Sequence, residues 1–302
     1  MRIDELPESN RIEDRRGARG GLPGGRGGLG IGTVVVLGLI GWALGIDPRL
    51  LIGGAEMLSG GGTQQQTQQQ ANAGSETKTG APSDEIGRFV SAVLGSTEVQ
   101  WTEIFAQSGK TYKQPTLVMF SGATQSGCGF AQSAMGPFYC PLDQKVYLDT
   151  SFFQDLERRF RGCDVGSKTC QFAQAYVIAH EIGHHVQNLL GLLPKVQEAQ
   201  RGMGKSESNS LQVRVELQAD CLAGVWANRS QAKWQFIEPG DVEAAMQTAS
   251  AIGDDRLQRQ SQGYVVPDSF THGSSAQRTR WFNTGLKSGN IASCNTFSAE
   301  EL

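Results

Sequence analysis

Apolar residues recur along this chain in several rhythms, and each predicts a different element. Residues 29–46 run for 18 positions without a charge, rich in Val, Leu, Ile and Gly. A bilayer-spanning helix takes about 20 mostly apolar residues, so residues 29–52 are predicted to hold a single transmembrane anchor. After Ser83 the rhythm turns helical: Ile86, Phe89, Val90, Val93 and Leu94 share a face behind a serine cap. Trp101, Ile104 and Phe105 predict a second short helix. Residues 116–121 and 144–149 are apolar runs of strand length. Phe152, Phe153 and Leu156 return to helical spacing. A longer helix is expected from about Gln171 through Ala179, Val186 and Leu189, stopped by Gly191 and Pro194. Further helical signals lie at 241–246 and 278–282. The pattern predicts an α+β fold, mostly helical with a small sheet.

Composition sets the flanks. Residues 1–28 are polar and glycine-rich, and are predicted to be a disordered cytoplasmic N-terminus. Arg15, Arg16, Arg19 and Arg26 precede the apolar run, which orients the N-terminus inward and the remainder outward across a bacterial inner membrane. A cleaved signal peptide is the competing reading, but its apolar core is usually shorter and the small-residue site Ala71-Asn-Ala73 lies far away. Gly41 and Gly45 form a G-x-x-x-G step that could pair helices into a homo-oligomer. Residues 53–83, rich in Gln, Gly and Ser, are expected to be a flexible linker, leaving 84–302 as the folded domain. A net charge of −3 gives no reason to expect nucleic-acid binding. Six cysteines outside the cytoplasm favour disulfides. Short loops suggest Cys128 with Cys140 and Cys163 with Cys170, leaving Cys221 for Cys294; a free buried thiol is the alternative for Cys221.

The chemistry centres on His180-Glu181-Ile182-Gly183-His184. Histidines four apart on a helix stand one above the other, so both rings can meet one metal ion. Zinc accepts such nitrogens, and a catalytic site takes three protein ligands and keeps one position for water. Glu181 is then placed to take a proton from that water. Gly183 would let a second helix approach closely. Glu216 and Asp220, again four apart, supply that helix: Glu216 as third ligand, Asp220 as acceptor for the outer N–H of a ligand histidine. Ala219, Ala223 and Gly224 would keep it slim there. His185 points about 100° off the metal face and is expected to be structural or exposed.

These motifs, with Gly136-Pro-Phe-Tyr-Cys-Pro141, Val146-Tyr-Leu-Asp149 and Thr271-His-Gly-Ser-Ser-Ala-Gln-Arg278, resemble the bacterial membrane-anchored neutral zinc metallopeptidase family over nearly the whole chain. The resemblance implies a zincin-like domain, one catalytic Zn2+ and a peptide or protein substrate. It makes His272 the candidate oxyanion donor, with Arg278 as the second choice, and the strand carrying Tyr147 a candidate edge for an extended substrate. Packing of Tyr147 into the core is the alternative. Ser274 and Ser275 are expected to cap the following helix. Two other classes stay open: a proteolytically inactive scaffold or regulatory protein retaining the zinc motif, and a zinc hydrolase of non-peptide amides.

Overall fold

In the computed structural model, which describes residues 1–17, 77–133, 136–158 and 169–302, the helical rhythm after Ser83 becomes one helix, α1 (Glu85–Gln107), not two. Asp84, rather than Ser83, caps it by accepting the Gly87 N–H. Gly95 lies inside this helix at a point where another segment needs the space of a side chain. A Cβ on Gly95 would lie 2.2 Å from the Pro7 carbonyl oxygen.

The N-terminal segment is therefore part of the fold, and the expectation of disorder is corrected for residues 1–17. Met1, Leu6 and Ile12 are buried, and Ser9 and Ser91 exchange hydrogen bonds across to α1. Ile12 to Asp14 form strand β1, which pairs antiparallel with β2 (Lys78–Thr79) and parallel with β3 (Thr116–Phe120). Composition could not reveal this, since a three-residue strand draws its hydrogen bonds from a partner a hundred positions away. Arg15 and Arg16, read as a cationic membrane flank, are ion-paired to Glu13 and to Asp14 and Asp84, each at 2.6 Å.

Four more strands follow: β4 (Ala123–Ser126), β5 (Gly129–Gln132), β6 (Phe138–Cys140) and β7 (Lys145–Asp149). The main sheet has the order β2-β1-β3-β7-β6, and β4 with β5 makes a separate hairpin. β7 lies inside the sheet, parallel to β3 and antiparallel to β6. Tyr147 is 1% exposed. The candidate substrate edge is thus corrected: the edge strand on that side is β6, not the strand of Tyr147. The Cys128–Cys140 disulfide ties β6 to the β4–β5 hairpin.

The remaining helices are α2 (Ser151–Arg158), α3 (Thr169–Leu189), α4 (Leu192–Gln200), α5 (Lys205–Trp234), α6 (Asp241–Ala251), α7 (Asp254–Gln262) and α8 (Ser275–Ser288). Gly191 ends α3 in the left-handed region at φ 74°, while Pro194 sits in the first turn of α4, where its missing N–H costs nothing. Helix α5 is clamped between α3 and α8 by small residues. A Cβ on Gly183 of α3 would meet the Ala219 Cα at 3.1 Å, and one on Gly285 of α8 would meet the Cys221 carbonyl oxygen at 1.9 Å. Gly224 faces α8 rather than the histidine helix, its Cβ position being 2.1 Å from the Phe282 carbonyl oxygen. Cys221 and Cys294 are joined, as expected. The predicted Cys163–Cys170 pair involves Cys163, outside the described residues.

Met1–Gly17 and Thr77–Leu302 form one compact unit, so the folded part resumes at Thr77 rather than residue 84. The apolar run 29–46, with Gly41 and Gly45, and most of the predicted linker lie outside the described residues. Among the described residues no helix is long and apolar enough to cross a membrane. Residues 1–17 and 77–302 share one sheet, through the pairing of β1 with β2 and β3.

Candidate metal centre

Helices α3 and α5 bring the predicted residues together at the Gly183–Ala219 contact. Glu216 Oε2 lies 3.2 Å from His180 Nε2 and 3.4 Å from His184 Nε2. All three donors lie within 4.8 Å of one another, and they are the one such His/Cys/Asp/Glu cluster among the described residues. Bonds of about 2.0–2.1 Å at tetrahedral angles separate zinc ligands by roughly 3.3 Å, which the two Glu216–histidine distances match. Electrostatics agree. Burial pushes the Glu216 carboxyl up, but the charge of His184 and hydrogen bonds to both histidines hold it well below its ordinary value. Burial lowers His184, and Glu216 more than reverses this, raising it to about 9; His180 is likewise raised, by Asp220 and Glu216 against its burial. A pocket that draws protons onto both rings has the charge preference of a divalent-cation site.

Behind His180, Asp220 Oδ1 lies 2.8 Å from Nδ1, where the spacing argument placed it. Asp220 is fully buried and is gripped by Arg278 through Nε to Oδ2 and Nη2 to Oδ1, both at 2.9 Å. The Tyr176 hydroxyl donates to Asp220 Oδ1 at 2.6 Å and accepts from Arg278 Nη2 at 3.1 Å. Burial works against the Asp220 charge, but Arg278 and His180 hold its pKa at about 2. Arg278 is only 3% exposed and also donates to the Ile252 carbonyl. The expectation that Arg278 could serve as an oxyanion donor is therefore corrected, since its guanidinium is spent behind the first histidine.

Glu181 is 7% exposed, and burial raises its pKa against the lowering charges of the two histidines. His185 is buried between Tyr139 Oη at 3.0 Å and the Lys113 carbonyl at 2.6 Å, a structural position on the far side of α3. His272 lies on the loop before α8 with its side chain 53% exposed. Asp254, the first residue of α7, accepts the backbone N–H groups of Thr271, His272 and Gly273 and faces His272 Nδ1 at 3.4 Å. Desolvation lowers the His272 pKa, while the bond to Asp254 and the charge of Glu216 raise it overall, placing the ring within electrostatic reach of the cluster. Ser274 caps α8 in a capping box with Gln277.

Two polar residues escaped sequence reasoning. Asp254 resembles any acidic residue in a first helical turn. Gln187, fully buried, places Oε1 2.9 Å from His184 Nδ1. It falls three residues after His184, on the same helix face, which was the only available signal.

A family model described as "Putative neutral zinc metallopeptidase" matches residues 1–297. The Escherichia coli (strain K12) protein YpfJ is 47% identical over 98% of this chain and 99% of its own length. The Mycobacterium tuberculosis (strain H37Rv) protein Rv2575 is 42% identical over 76% of each chain. Neither name carries an activity. No solved structure matches the chain. With the donor triangle, the two motifs and a match along almost the entire sequence, the chain belongs to the neutral zinc metallopeptidase family.

Proposed function

We propose that this protein is a zinc-dependent peptidase whose catalytic unit lies outside the cytoplasm. The observation that carries the reading is the donor triangle of His180, His184 and Glu216, with Glu181 on the histidine helix within electrostatic reach of all three. Zinc, when held there, supplies a Lewis acid and a water of lowered pKa. Glu181 would take a proton from a water held there and return one to the leaving amine, a role suited to a carboxyl raised by burial. Protonated His272, its Nδ1–H facing Asp254, presents Nε2–H as hydrogen-bond donor to the developing oxyanion. Edge strand β6 is the place for an extended substrate to pair, because it ends the main sheet and has a strand on one side only among the described residues.

The test uses the purified full chain, assayed for zinc content and for cleavage of an unbiased peptide library. Zinc near one per chain with chelator-sensitive cleavage is expected. Glu181→Gln should keep the zinc and lose turnover by about a hundredfold or more. Full turnover in Glu181→Gln would overturn the assignment of the base, and zinc without cleavage by the unaltered chain would favour a structural site.

The disulfides support an oxidising compartment. Attachment through residues 29–52 then requires the segment 18–76 to begin and end on one side of the bilayer. Cysteines introduced at the exposed positions Asn10 and Lys287 should both react with a membrane-impermeant maleimide in cells whose outer layer is opened. Labelling at 287 with protection at 10 would sink the shared-side topology.

A further inference from the structure

We infer that Gln187 and Gln218 form a directional amide relay that fixes the His184 tautomer and anchors it to the C-terminal knuckle at Cys294. The inference rests on the reading of His180, His184 and Glu216 as a zinc site. Gln187 Nε2 lies 2.8 Å from the Val215 carbonyl oxygen and 3.0 Å from Gln218 Oε1. Gln218 Nε2 in turn lies 3.0 Å from the Cys294 carbonyl oxygen.

Backbone carbonyls only accept hydrogen bonds, so they decide which way each amide points. Val215 requires the Gln187 NH2 on its side, and Cys294 requires the Gln218 NH2 on its side. The Gln187 oxygen is therefore the atom facing His184, at 2.9 Å from Nδ1. An oxygen there obliges Nδ1 to carry the proton, which leaves the Nε2 lone pair for a cation. Nε2 is the nitrogen that lies 3.4 Å from Glu216 Oε2.

The relay also links parts of the chain distant in sequence. It begins on α3, crosses to α5 and ends at a residue whose side chain is bonded back to α5 through Cys221. Arg214, one turn before Gln218, holds the same C-terminal segment by donating to the Ala299 carbonyl at 3.0 Å, and Thr296 Oγ1 donates to the Arg214 carbonyl at 2.6 Å. Gln187 is thus a positioning residue, acting on the metal through His184.

The test compares zinc affinity, by chelator competition, with thermal stability in excess chelator, for the full chain and three variants. Gln187→Met removes the acceptor and should weaken zinc about 10- to 100-fold. Gln218→Met should weaken it less, in the same direction. Gln187→Glu keeps an acceptor for His184 Nδ1 but loses both donations to α5. It should recover most of the zinc affinity lost in the Met variant without recovering chelated-state stability. A merely structural cross-link predicts the reverse, with Glu no better than Met for zinc. The relay is overturned if Gln187→Met binds zinc within about threefold of the unaltered chain, or if Glu and Met are equally weak. An unaltered chain that binds no zinc would instead overturn the reading of the centre itself, and the relay with it.

Discussion

The two histidines of the centre stand one turn apart on α3 and are braced from behind by opposite chemistry. His180 leans on an ion pair, Asp220 gripped twice by Arg278 and touched by Tyr176. His184 leans on a neutral amide, Gln187. Yet both braces carry no net charge, since the Asp220 carboxylate is cancelled by Arg278. The charge of the donor set is then left to Glu216 alone, with Glu181 beside it. The difference lies in what each brace costs to break. A buried ion pair gives firm orientation but leaves a bare charge when halved, whereas a halved amide contact leaves only a dipole.

The largest expected effect follows directly. Arg278→Met would strand the Asp220 carboxylate in a site where neither residue is more than 3% exposed. Removing one partner of such a pair costs about 3–5 kcal/mol, against roughly 1–3 kcal/mol for an unsatisfied neutral polar group. Thermal or urea unfolding in chelator should therefore show Arg278→Met well below Gln187→Met. Equal losses would mean that water or a rearranged Tyr176 satisfies Asp220, and the contrast between the braces would collapse.

The pH dependence separates the two sides next. Asp220, held at about 2, contributes stability that is present above its unfolded value near 4 and is lost as pH falls through about 2. His184 works the other way. With its pKa raised to about 9, its ion pair with Glu216 is fully present below the unfolded value near 6.5 and is lost as pH rises through 9. In chelator, stability should fall between pH 6.5 and 9 by an amount on the order of 3 kcal/mol. Zinc competes with the same protons, so its apparent affinity should rise over that interval and level off above about 9. Affinity flat from pH 6 to 9 would mean that His184 is already neutral, and the proton-attracting character of the pocket would be refuted.

How far this centre could be read from sequence depended on whether a residue's role is local. His180, Glu181 and His184 are set by the helical repeat, and Glu216 with Asp220 repeats the same arithmetic, so all five were legible. Gln187 was half legible: its spacing from His184 is local, but its worth comes from Val215 and Gln218 on another helix. Asp254 and Arg278 were not legible in role, because only the folded chain shows which charge each one faces. The N-terminus makes the same point for the fold. Glycines after residue 17 coloured the whole of 1–28 as disordered, while Ile12 is 1% exposed inside the sheet. The two helices expected after Ser83 are one, and Gly95 within it is the crossing point for Pro7.

The smallest expected effect leaves every residue of both braces in place and so calibrates the comparison. Gly183 lies between the two histidines, and a Cβ there would sit 3.1 Å from both the Cα and the carbonyl oxygen of Ala219 and 3.3 Å from its Cβ. Backbone is the obstacle, so α3 and α5 must part by a few tenths of an ångström. Alanine gains about 1 kcal/mol of helix propensity over glycine, which offsets much of that strain. Gly183→Ala should therefore change chelated-state stability by less than about 1 kcal/mol. Zinc affinity should still fall several-fold, because Glu216 moves away from both rings together, while the Gln187–His184 contact within α3 is unaffected. Such a variant weakens the metal without replacing a residue of either brace. If its zinc affinity were unchanged, the close approach at Ala219 would not govern the donor triangle, and losses in Gln187→Met could no longer be blamed on helix separation.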